Sequence, residues 1–80
     1  MICLIQHTVD KQKFIGEVTE IMEKEITLIP GSVIWEDPDD GSWNTTFRSK
    51  FLRPLYQVIR YNIEETDEEL FCIYEQQKLV

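Results

Sequence analysis

At 80 residues, 42% of them hydrophobic and 29% charged, the chain is large enough for one modest core, too short for two, and too apolar for a disordered tail. Fifteen acids against eight Lys and Arg leave a formal net charge of -7, which argues against sequence-independent binding of DNA, RNA or anionic lipid, since phosphate recognition needs surplus cations. No apolar run approaches the length of a membrane span.

The chain begins with Ile2 and Leu4 alternating against Cys3 and Ile5, the pattern of a strand buried on both faces. This apolar start is too short for a signal peptide and lacks a leading cation, so the expected compartment is the cytosol. Lys13 to Ile21 reads as a second strand with Phe14, Gly16 and Val18 on one face and Ile15, Glu17 and Thr19 on the other, Gly16 marking a bend. Glu25 to Ile29 forms a third strand, stopped by Pro30 and Gly31, and completes a hairpin. A helix over Val18 to Leu28 competes through its Glu, Met and Lys, but the Thr and Ile content and Pro30 favour strands. Over this quarter of the chain the pattern resembles SH3-like or Sm-like barrels.

Val33 to Trp35 and Trp43 to Phe47 flank Asp37, Pro38, Asp39, Asp40 and Gly41, which gives a second hairpin with an acidic tip. Arg48 to Arg53 reads as irregular chain or one helical turn ended by Pro54. From Leu55 to Ile63 the alternation is the longest strand pattern in the chain. The last segment carries two signals. Thr66 and Glu69 match a capping box, whereas the run Leu70 to Tyr74 is rich in strand formers, and the balance favours a terminal hairpin with Glu64 to Glu69 as its solvated turn. The expected fold is mainly β: one domain, residues 1–80, built as a five- to seven-stranded antiparallel barrel or sandwich with room for one short helix.

Nine of the fifteen acids fall in two runs, and Arg48, Lys50 and Arg53 cluster between them. Charge sorted in this way makes a surface for a partner, and an acidic surface suits and steers a basic one. The expected partner-binding residues are Glu36, Asp37, Asp39, Asp40 and Trp43 on the first tip and Glu64, Glu65, Asp67, Glu68 and Glu69 on the second. The expected function is a non-catalytic inhibitor or regulator of a basic protein surface, without direct contact to nucleic acid or membrane. In size, charge and composition the chain resembles phage-encoded inhibitors of host or defence proteins and toxin-immunity proteins. The runner-up is a nucleic-acid-binding or oligomer-forming barrel using Arg48, Lys50, Arg53 and Arg60 with nearby aromatics, although ion pairing of the cluster with the acidic loops is the simpler reading. Exposed edge strands on so small a domain are compatible with a homodimer.

Catalytic chemistry finds little support. His7 stands alone, without the ligand spacing of a zinc site. Asp37 to Gly41 fails the calcium-loop spacing, because the glycine comes one place early and Arg48 occupies the closing position. Cys3 and Cys72 each lie in an apolar run and read as small buried hydrophobes. No catalytic residue, metal ligand or cofactor is assigned. An enzyme subunit whose site forms between chains remains a third reading, with Cys72 as its first test.

Overall fold

The computed structural model describes residues 1–78 as seven antiparallel strands followed by two helices. The strands are β1 (Ile2–His7), β2 (Lys13–Ile21), β3 (Glu25–Leu28), β4 (Val33–Glu36), β5 (Trp43–Thr46), β6 (Lys50–Leu52) and β7 (Tyr56–Arg60), and the helices are α1 (Ile63–Thr66) and α2 (Glu68–Lys78).

β2 organises the fold. Its first half lies between β1 and β4, and its second half leaves β4 to pair with β3. One sheet path therefore runs β5-β4-β2-β1-β7, while β3 and β6 continue from the far half of β2 and curl over one face. The change of partner follows Gly16, where a Cβ would lie 2.5 Å from Leu28 Cδ2. Only glycine lets the curled layer approach β2 so closely.

Alternation along the strands then feeds two cores. Cys3, Ile5, Phe14, Val18, Ile26, Leu28, Val33, Phe51 and Tyr56 fill the interior under the curl. Ile2, Leu4, Ile15 and Ile34 point to the opposite face, where Ile63 and Tyr74 from the helices cover them. β1 is thus buried on both sides, as its two apolar faces imply.

Three expectations are corrected. The C-terminal segment is helical: Leu70, Phe71, Ile73 and Tyr74 join the outer core while Cys72 faces solvent, a helical spacing that strand alternation cannot produce. Its cap is Asp67, one residue past the expected Thr66, and the Asp67 carboxylate accepts from the Leu70 N–H at 3.1 Å. Thr66 instead donates its hydroxyl to the carbonyls of Tyr61 and Asn62. Residues 64–69 are accordingly α1 and the first turn of α2, with no turn between strands. Arg48 to Arg53 is neither irregular throughout nor helical, because Lys50–Leu52 adds β6 to the free edge of β3. The strand from Leu55 is shorter than its pattern, since Asn62 adopts a left-handed conformation and turns the chain into α1.

No helix among the described residues is long and apolar enough to cross a membrane.

Candidate functional site

The acidic tip of the β4–β5 hairpin is held by its own side chains. Asp37 Oδ1 accepts from the Asp39 N–H, and Asp40 Oδ1 accepts from both the N–H and the hydroxyl of Ser42. The backbone closes the turn through Gly41 N–H to the Asp37 carbonyl at 2.8 Å, with Gly41 at φ 74°. The Ser42 hydroxyl and then its N–H hold the Asp40 carboxyl below its usual range. Asp37 and Asp40 therefore build the loop, with Asp39 and Asp40 exposed and Glu36 half-buried at its base. Glu36 and Pro38 border a groove of about 240 Å³ with Asp10, Lys11, Gln12 and Lys13, so cations already stand beside this tip.

The second acidic run lies elsewhere. β7 runs antiparallel to β1, with Leu4 opposite Arg60 and His7 opposite Tyr56, so α1 starts beside the beginning of β1. The hairpin tip follows Trp35, whose partner Phe14 stands at the start of β2, beside the end of β1. The two runs occupy opposite ends of the sheet and do not form one surface. Within the second, Glu65 accepts from the Asn62 amide, and Asp67 caps α2 with Arg60 3.7 Å away. Glu64, Glu68 and Glu69 remain exposed.

Trp43 is half-buried against the outer core beneath α2, and Trp35 packs on the interior core. Both serve the fold where they sit. The basic cluster is not an ion-pair partner of the acidic runs. Arg48 lies over aromatic rings, Arg53 donates to the Met22 carbonyl at 2.8 Å, and no ion pair joins either of them or Lys50 to an acid among the described residues.

His7 accepts through Nδ1 from the N–H groups of Val9 and Asp10 and so shapes the turn after β1. Asp10 Oδ1 lies 3.4 Å from the same nitrogen, which the two donated N–H groups identify as the acceptor. Cys3 is fully buried, and burial pushes its thiol up from the ordinary value. Cys72 is exposed on α2, which corrects its reading as a buried hydrophobe. Among the described residues no three of His, Cys, Asp and Glu converge.

The feature that strand patterns did not single out is the open seam beside β7. Among the described residues β7 pairs only with β1 and β6 only with β3, so neither outer edge has a strand partner there. At one end of the seam Glu23, Lys24, Leu52 and Arg53, joined by the Arg53 N–H to Lys24 carbonyl bond of 2.9 Å, line a cleft of about 740 Å³ together with Pro54, Tyr56 and Gln57. Toward the other end a smaller cleft of about 280 Å³ opens where β1 starts, between Tyr61 and the last residues of β2, Thr19, Glu20 and Ile21. Met1, Ile21, Leu52 and Tyr61, which line these clefts, are 40–59% exposed, and Met22, Leu55 and Ile59 from the adjoining chain are 39–57% exposed. The sequence signal is the apolar content of Leu55, Ile59 and Tyr61 between and beyond the interior residues Tyr56 and Val58.

Comparison with protein-family models, with curated proteins and with solved structures finds no match for this chain.

Proposed function

We propose that this chain is a non-catalytic protein-binding domain that blocks or regulates a basic partner. The carrying observation is the seam: large apolar side chains exposed beside a strand edge that no described strand pairs, with Glu20 and Glu23 on its β2–β3 wall and Glu64 in α1, three residues after Tyr61. Scattered apolar residues need no explanation on a protein surface, but a set grouped around clefts has the anatomy of an interface, apolar at the centre and charged at the rim. An extended basic segment fits it, because its backbone can pair with β7, its apolar residues can fill the clefts, and its cations can meet the acids. The β4–β5 tip at the far end of the sheet contributes through the long-range field, which speeds encounter without touching the docked segment.

The test is capture on the immobilised protein from lysate of its source cells, after nuclease, comparing wild type with Tyr61→Ser and Glu64→Lys. A basic protein retained by wild type, released by high salt and lost from both variants supports the reading. Equal retention by all three proteins overturns it.

A further inference from the structure

Arg48 sits in the short link between β5 and β6, and its guanidinium carbon lies 4.5 Å from the Tyr56 ring centroid, 4.6 Å from Phe51 and 5.5 Å from Phe14. The rings stand edge to face, with interplanar angles of 62° for Phe14 and Phe51, 71° for Phe14 and Tyr56 and 74° for Phe51 and Tyr56. Three strands, β2, β6 and β7, each supply one wall. No carboxylate pairs with Arg48 among the described residues, and its side chain makes one polar contact, a long one of 3.4 Å from Nε to the Lys50 carbonyl. Arg48 is exposed to solvent, and the groups its guanidinium rests against are electron-rich ring faces, which is how an aromatic cage recognises a cation.

Two further observations point beyond a plug for the core. Tyr56 also lines the 740 Å³ cleft of the seam, so one cage wall borders open space that can take the remainder of a larger ligand. Phe47, next to Arg48 in the same link, is 94% exposed and serves no packing role. The link is tied down by the Arg48 N–H to Thr46 Oγ1 at 3.3 Å and by the Ser49 carbonyl accepting from the Leu28 N–H at 2.7 Å, so Phe47 is the large apolar side chain it leaves in solvent beside Arg48.

We propose that Phe14, Phe51 and Tyr56 form a binding site for an organic cation of guanidinium or trimethylammonium size, and that Arg48 is its resident occupant, displaced when the ligand binds. The cation is recognised by its charge and its weakly hydrated surface, whether it is a free quaternary ammonium or a methylated lysine on a peptide. The chain's net charge of -7 favours its approach.

The experiment is an NMR titration of wild type, Arg48→Ala and Arg48→Gln with tetramethylammonium chloride, reading the upfield ring-current shift of its methyl signal. A peptide bearing trimethyllysine and its unmodified counterpart are titrated in parallel. Removing the internal competitor is expected to tighten tetramethylammonium binding about tenfold, on the scale of one cation–π contact. Preference for the methylated peptide over the unmodified one identifies a side-chain source, and tetramethylammonium binding without that preference identifies a free cation. Folded Arg48 variants that shift neither cation overturn the proposal. Loss of the fold in both variants, judged from their amide spectra, overturns it too, since Arg48 would then be a structural plug.

Discussion

Gly16 and Leu28 touch without room for a single added carbon: a Cβ on Gly16 would stand 2.5 Å from Leu28 Cδ2 and 3.0 Å from Val33 Cγ2. Leu28 and Val33 are themselves fully buried, so neither side chain has free space to enter. Gly16→Ala is expected to cost about 1–3 kcal/mol through overpacking, measured as a fall in the urea midpoint at unchanged slope. Leu28→Ala costs about 2–5 kcal/mol by itself, but in the double variant the two losses should not add, because each substitution relieves the clash or the void left by the other. Additive losses would show that Gly16 is required for a reason other than this contact.

The N-terminus of α2 rests on Asp67, which caps Leu70 and faces Arg60. Asp67→Ala should destabilise the protein by about 1 kcal/mol, while Asp67→Asn, which keeps the capping oxygen, should retain most of that stability. Arg60→Ala should change little, because the ion pair is long and more than half exposed on the arginine side. Equal losses in the alanine and asparagine variants would assign the effect to the ion pair.

Acid should loosen the β4–β5 tip in a defined window. The folded Asp40 carboxyl lies below its ordinary value of 3.8, so its hydrogen bonds to Ser42 contribute fully above that pH and are lost as pH falls through the lower folded value. In Ser42→Ala the Asp40 carboxyl should titrate nearer 3.8, as followed by side-chain NMR. An unchanged titration would mean that Ser42 does not hold Asp40 in solution.

The two cysteines should separate cleanly by reactivity. Cys72 is exposed on α2, whereas Cys3 is buried in the interior core with its thiol pushed up by desolvation. A thiol reagent at neutral pH should modify Cys72 in the native protein and reach Cys3 only in denaturant. Rapid native labelling of both would contradict the burial of β1 between β2 and β7.

Much of this architecture was legible because local pattern and tertiary role agree. β1 is apolar on both faces and is covered on both, and Phe14, Gly16 and Val18 turn together toward the interior. The sequence misled where one local pattern satisfies two structures. Leu70 to Tyr74 contains both a strand-like run and a helical face, and the choice follows from the uncovered outer side of β1, β2 and β4, which a helix closes over and a hairpin does not. β6 was missed because its pairing with β3 joins residues distant in sequence. Arg48 was read as a partner for acids because the rings it meets come from three separate strands. The acidic runs were legible as charge, but their placement at opposite ends of the sheet depends on strand register, which no local pattern carries.

Under the proposed function a basic partner docks at the seam while the hairpin tip only steers it. The most direct measurement is the association and dissociation rate of the captured partner on wild type, Tyr61→Ser and Asp39→Lys. Docking at the seam predicts faster dissociation from Tyr61→Ser, by about tenfold or more, and slower association with unchanged dissociation for Asp39→Lys. Faster dissociation from Asp39→Lys, with Tyr61→Ser behaving as wild type, would contradict it and move the interface to the acidic hairpin.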